Sequence, residues 1–331
     1  TRMEFDDSGW QAVRLPHDWA ISGPFDPEEN GYAAKLPWQG VGWYRKVFEL
    51  SEADEGKRVY LDFDGVMAFP KVYVNGQLAG QWDYGYMSFR VDATDYVRFG
   101  EENLVAVRAD THNQGTRWYP GAGIYRKVTL TLDEPVHIAH WGTYITTPEV
   151  GDDAAAVRVQ TELENHHGRR TPVTVQVKLL DPKGKTVAAS ARQGLISPNG
   201  SVTMTQMLNV EDPQRWDITS PVLYTAEVTV LADGEQTDSQ QVNFGIRTFQ
   251  FTADDGFHLN GRRVQLYGVN LHHDHGPLGA AFYPRAMQRQ LEIMQEMGGN
   301  CIRTSHNPPA PELLDLCDRM GLVVWDECFD K

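Results

Sequence analysis

The sequence predicts a multidomain chain, β plus α/β in class: two β-sandwiches in series, then a stretch in which strands and helices alternate. Three observations carry this. Over roughly the first 130 residues, short apolar–polar alternations are broken by Gly, Asn and Asp. The same rhythm continues, with its own turns, over about 115 more. Beyond Phe249 the apolar spacing widens from two residues to between three and four. The expected segments are 1–134, 135–249 and 250–331.

The β pattern of the first segment begins near Val13. Val59, Leu61 and Phe63 alternate with their neighbours, and Val72 and Val74 do so directly before Asn75-Gly76. That dipeptide favours a two-residue hairpin, since both positions accept positive φ. Alternation returns over Leu104–Arg108 and Val128–Leu132, predicting a jelly-roll sandwich. Three aromatic patches sit beside its turns: His17-Asp-Trp19, Gly42-Trp-Tyr-Arg45 and Arg117-Trp-Tyr-Pro-Gly-Ala-Gly-Ile-Tyr-Arg126.

In the second segment Val157 and Val159 alternate, as do Val173, Val175, Val177 and Leu179, followed by the turn Asp181-Pro-Lys-Gly184. Val202, Met204, Gln206 and Leu208 form one face of another strand, Val228 and Val230 part of the next, and Ala232-Asp-Gly234 a further turn. The size and rhythm predict an immunoglobulin-like sandwich acting as a spacer. His166-His167 beside Gly168 reads as an exposed turn, with metal binding the less favoured alternative.

The third segment reads strand, helix, strand, helix, strand. The strands are expected at Val264–Asn270, Asn300–Ser305 and Leu322–Asp326. Pro284 opens a helix with the stripe Met287, Leu291, Met294 and Met297, stopped by Gly298-Gly299. Pro311 opens a second, with Leu313, Cys317 and Met320 on one face and Gly321 at its end. This is the start of an eight-stranded (β/α)8 barrel, in which polar residues at strand C-termini share one mouth. His272, His273, Asp274, His306, Asp326 and Glu327 occupy those ends. With three strands before Lys331, the chain is expected to stop inside its barrel.

A formal charge of −15 argues against nucleic acid as partner. No apolar run reaches the about eighteen residues of a spanning helix, so no membrane partner is expected. Thr1–Asp7 lack the apolar core of a signal peptide, which leaves a periplasmic or secreted location open beside a cytoplasmic one. Cys301, Cys317 and Cys328 fit neither a disulfide framework nor a zinc site, and Cys301 and Cys317 read as buried thiols. His272, Asp274 and His275 lack the distant member that zinc sets normally include, so no metal ligand is assigned.

The barrel motifs Gly268-Val-Asn-Leu-His-His-Asp-His-Gly-Pro-Leu-Gly-Ala-Ala281, Arg303-Thr-Ser-His-Asn-Pro-Pro309 and Leu316-Cys-Asp-Arg-Met-Gly-Leu-Val-Val-Trp-Asp-Glu327 resemble the start of the catalytic domain in glycoside hydrolase family 2. The resemblance is nearest to bacterial beta-galactosidases, and the aromatic patches resemble that family's N-terminal sugar-binding-type jelly roll. It implies a retaining exo-glycosidase acting on terminal beta-galactosides, with a beta-linked oligosaccharide or glycoside and the rest of the barrel as partners. A beta-glucuronidase or beta-mannosidase of the same family is the alternative. A non-catalytic carbohydrate-binding or assembly module is the reading from another class. A homo-oligomer stays open.

Carried over by position, His306 lines the pocket and hydrogen-bonds sugar hydroxyls, and Arg303 supports the site by pairing with carboxylates. Asp110 reaches from the jelly roll toward the non-reducing sugar, and His272 and His273 belong to a polar cluster after the first barrel strand. Of these two adjacent residues, only one can face the pocket. Asp326 and Glu327 are expected to give structural support. No catalytic residue is assigned: a retaining mechanism needs two carboxyl groups roughly 5–5.5 Å apart, and the resemblance places both glutamates beyond Lys331. The 331 residues alone are expected to be inactive. No cofactor is required, and a divalent cation in the remainder of the barrel stays open.

Overall fold

The computed structural model describes residues 1–113 and 115–329. The chain gathers into two compact units. One comprises Thr1–Leu132, Gly268–Leu316 and the stretch from Val324; the other comprises Asp133–Tyr267 with Cys317–Val323.

The first unit begins with an irregular arm, contrary to the expectation of β structure from Val13: its first strand starts at Val41. The strands are β1 (Val41–Glu49), β2 (Arg58–Phe63), β3 (Lys71–Val74), β4 (Gln77–Gln81), β5 (Phe89–Asp92), β6 (Glu102–Asp110) and β7 (Val128–Asp133). They form two sheets, β1-β6-β3-β4 and β5-β2-β7, the paired sheets of a jelly roll. Val59, Leu61, Phe63, Val72, Val74, Val91 and Val107 are buried in one apolar core. Asn75 and Gly76 take φ of 49° and 84° and close the β3–β4 hairpin. Asn75 does more than turn the chain: its amide nitrogen donates to Tyr96 O at 2.9 Å and its oxygen accepts from Leu104 N at 2.9 Å.

The second unit holds β8 (Val136–Val150), β9 (Ala154–Asn165), β10 (Thr171–Leu180), β11 (Thr186–Ile196), β12 (Gly200–Glu211), β13 (Tyr224–Ala232) and β14 (Glu235–Phe244). They make the sheets β11-β10-β13-β14 and β12-β9-β8 of an immunoglobulin-like sandwich. The strict alternation of β10 and β13 places Val173, Val175, Val177, Val228 and Val230 in the core. After it, β15 (Phe249–Thr252), β16 (Gly256–Leu259) and β17 (Arg262–Arg263) form a small antiparallel sheet.

The α/β segment contains β18 (Gly268–Leu271), α1 (Pro284–Glu296), β19 (Cys301–Thr304), α2 (Pro311–Met320) and β20 (Val323–Trp325). β18 and β19 are parallel with Gly268 opposite Cys301, in a sheet ordered β18-β19-β20, the arrangement that begins a TIM barrel. Two expectations need correction. The strand expected from Val264 starts only at Gly268, because Val264 N donates to Phe257 O at 2.9 Å and its side chain is buried with Trp216 and Leu259. Met297 lies past the end of α1 and is 69% exposed, while Met287, Leu291 and Met294 are buried as expected. Cys301 and Cys317 are buried thiols and Cys328 is exposed. Among the described residues no helix is long and apolar enough to cross a membrane.

Candidate functional site

The site grows from the C-terminal ends of the parallel strands in the first unit. Thr304, the last residue of β19, uses one hydroxyl twice: it donates to Asp326 Oδ1 at 3.0 Å and accepts from Glu327 N at 3.0 Å. This fixes Glu327 beside β19. Its carboxylate accepts from Arg303 Nε at 2.8 Å and from His306 Nδ1 at 2.7 Å. A carboxylate offers no hydrogen, so Nδ1 carries the proton and Nε2 is left for another partner. Arg303 also reaches Asn270 Oδ1 at 3.3 Å. The bond from His306, followed by those from Arg303, holds the Glu327 carboxyl below its ordinary range. Asp326 is thus tied to Thr304, and Glu327 to Arg303 and His306.

The loop behind His306 is held from the jelly roll. Arg126 donates to Pro308 O at 2.9 Å, to Pro309 O at 3.3 Å, and to Tyr86 O and Asp64 O at 3.1 and 3.2 Å. The Tyr84 hydroxyl donates to Asn307 Oδ1. Trp118 brings an aromatic face to the same place. It stacks on His272 (centroids 5.0 Å, 23°) and meets the His306 ring edge-on at 5.5 Å. Its Nε1 donates to Tyr86 Oη at 3.1 Å.

His272 and His273, just past the end of β18, point to different surroundings. His272 lies 5.6 Å from the His306 ring, and burial, then the nearby His306, lowers its pKa. His273 instead packs between Tyr86 and Tyr125 and donates from Nε2 to Pro120 O at 2.8 Å. Burial pushes its pKa down to about 3. It is neutral and committed to the backbone. Asp110 ends β6 away from these contacts, bound by His112 N at 3.0 Å and Arg108 at 2.7 Å. The His112 backbone bond leads the causes that hold its pKa at about 2.

Trp118, Tyr86 and Asn307 were not singled out as site residues, although Trp118 stood in a noted aromatic patch. Asp18 was missed as a support. It is buried and accepts from Ala20 N and Ala122 N at 3.0 Å, Tyr119 Oη at 2.6 Å and Ala280 N at 2.8 Å. A Cβ on Gly279 would lie 2.4 Å from Asp18 Oδ2, so only glycine permits this approach. The one local signal was an aspartate inside His17-Asp-Trp19. In the second unit, His137, Glu164 and His166 bring three potential metal-ligand atoms within 4.8 Å of one another. Among the described residues they are the group with that property; His272, Asp274 and His275 are not.

An aromatic face, two imidazoles and an arginine–carboxylate pair at the strand ends of a barrel-type sheet can stack on a flat apolar surface and exchange hydrogen bonds with neutral hydroxyls. Fold and site together define a multidomain protein of the β-sandwich and (β/α)-barrel class. Residues 10–135 match the sugar binding domain of glycosyl hydrolases family 2, 136–247 match the model described as glycosyl hydrolases family 2, and 252–330 match that family's TIM barrel domain. A beta-galactosidase of Bacteroides ovatus is 47% identical over 98% of this chain, which spans 38% of that relative's length. A putative beta-glucuronidase of Formosa agariphila is 36% identical over 100% of the chain and 31% of its own length. A crystal structure of a glycosyl hydrolase family 2 member from Bacteroides cellulosilyticus superposes with TM-score 0.95 at 38% identity, covering 99% of this chain and 43% of that one. The chain belongs to glycosyl hydrolases family 2.

Proposed function

We propose that the chain is part of a retaining exo-glycosidase that removes terminal beta-galactosides, and that Trp118, His272 and His306 face the sugar. The observation that carries this is His306: its Nδ1–H donates to Glu327, leaving Nε2 for a sugar hydroxyl beside the Trp118 face. Arg303 orients Glu327 and through it His306. Asp110, ionised and partly exposed, would accept hydroxyl protons at the non-reducing sugar. His273 positions rather than binds. The nucleophile and acid/base of such a reaction are assigned to no residue of this chain. Identity to the Bacteroides ovatus beta-galactosidase favours a galactoside. The Formosa agariphila relative supports a second reading, a glucuronide.

Both are tested in the whole protein by His306→Ala, with kinetics on aryl beta-galactoside and aryl beta-glucuronide and a melt on the same sample. A contact that tightens in the transition state should cost roughly 2–4 kcal/mol, mainly in kcat. A folded variant losing less than about threefold in kcat/KM would remove His306 from the sugar site. Higher kcat/KM on the glucuronide would select the second reading.

A further inference from the structure

We propose that His137, Glu164 and His166 form a binding site for one divalent transition-metal ion of the zinc type. The placement follows from strand pairing. β8 and β9 are antiparallel with His137 directly opposite Glu164, so their side chains are cross-strand neighbours. His166 follows Glu164 by two residues, the period that returns a side chain to the same face. The result is two imidazoles aimed at one carboxylate: His166 Nε2 lies 3.0 Å and His137 Nε2 3.7 Å from Glu164 Oε2. The two rings are nearly parallel, 6° apart with centroids at 5.4 Å. Ligands about 2.1 Å from a tetrahedral ion stand about 3.4 Å apart, a value between those two separations.

The surroundings favour a metal ligand's geometry. His137 Nδ1 donates to Glu134 O at 2.7 Å, so its proton is on the outer nitrogen and Nε2 faces inward. A backbone carbonyl on the outer N–H is the usual way a ligating histidine is oriented. Asp133 Oδ2, 3.9 Å from His137 Nε2, supplies a second carboxylate within reach. The His137 side chain is fully buried, whereas those of His166 and Glu164 are 30% and 38% exposed, so one wall is fixed and the other opens to solvent. Two imidazoles with one or two carboxylates suit zinc and its neighbours rather than calcium or magnesium, which take oxygen ligands. Bound there, the ion would tie the start of β8 to the end of β9.

The test uses the whole chain, stripped with chelator and dialysed against zinc chloride under chelator competition, with metal content measured by mass spectrometry. Cobalt substitution adds a visible ligand-field band that reports nitrogen and oxygen ligands in a tetrahedral array. The wild type should retain one equivalent and melt higher with zinc. His166→Gln and Glu164→Gln, changes at part-exposed side chains, should each weaken binding at least about tenfold while leaving the metal-free melt unchanged. If one variant fails to fold, the other decides. His167→Gln should bind as the wild type does. A wild type that retains no zinc would overturn the proposal and leave the cluster as histidine–carboxylate ion pairs. So would glutamine variants that bind normally, or binding abolished by His167→Gln.

Discussion

The two β-sandwiches share an architecture and differ in what holds their parts in place. In the immunoglobulin-like sandwich, Val157, Val159, Val173, Val175, Val177, Val228 and Val230 fill the space between sheets, and burial of aliphatic surface holds it together. The jelly roll has such a core too, but the segments bordering the Trp118–His272–His306 cluster are set by polar pins. Asp18 gathers Ala20, Ala122, Tyr119 and Ala280; Arg126 gathers Tyr86, Pro308 and Pro309. Apolar burial is non-directional and tolerates small shifts, whereas hydrogen bonds fix distance and angle. The difference teaches that loops distant in sequence are pinned by hydrogen bonds around the 301–309 segment, while the two sheets of the second sandwich meet mainly through apolar packing.

The sharpest way to break this contrast is Asp18→Ala. It strands buried donors around a deleted carboxyl group, and should cost about 4 kcal/mol. The measurement is denaturant unfolding, read on the transition each variant moves. Gly279→Ala attacks the same pin from the other side. With φ of 64° and Asp18 Oδ2 2.4 Å from the new Cβ, it should cost about 3 kcal/mol. Val177→Ala, in the packed sandwich, should cost about 2 kcal/mol through lost burial and a small cavity. If it matched or exceeded Asp18→Ala, the contrast would fail.

A pH titration sharpens it further. Burial lowers the pKa of His273 to about 3 and also lowers His17, His272 and His275, all in the first unit. The folded state binds the His273 proton more weakly than the unfolded state. Its contribution is therefore fully present above the unfolded value near 6.5 and declines as pH falls toward 3. The slope should be up to about 1 kcal/mol per pH unit, and His273→Gln should remove it from stability measured between pH 7 and 5. The smallest effect belongs to Gly234→Ala in the second sandwich. Its φ of 91° resembles that of Gly279, but no atom lies within 4 Å of the added Cβ, so the backbone alone should cost about 1 kcal/mol. A loss equal to that of Gly279→Ala would mean that contact with Asp18 adds nothing.

The same contrast governs what could be read from the sequence. β10 and β13 announce themselves, because a strand half-buried in a regular sandwich must alternate. β8 escaped: Trp141 at φ 57° and shifts of register between Ile138 and Thr143 and between Thr146 and Glu149 destroy its alternation. His306 stood out because its sequence neighbours form a local motif, a strand end followed by Asn307-Pro-Pro309, although its ring meets Trp118, which is far away in sequence. Asp18 did not, since its partners Tyr119, Ala122 and Ala280 lie 101, 104 and 262 residues away. The pairing of His137 with Glu164 was hidden for the same reason. His166 looked like part of an exposed turn until the ladder between β8 and β9 supplied its neighbours.

Arg126 has a consequence for transplantation. The 301–309 segment reads as a self-contained cassette, strand and rigid loop together, yet two carbonyls of its proline pair rest on a guanidinium encoded 182 and 183 residues earlier. Anyone moving that cassette into another barrel would carry the His306 codon but leave its foundation behind. The piece that must travel is discontinuous: the barrel strand and loop, together with Tyr84, Tyr86, Trp118 and Arg126 from the jelly roll. Chimeras between family members should therefore exchange both segments from the same parent, because recombination at the visible domain joints would separate the loop from the groups that seat it.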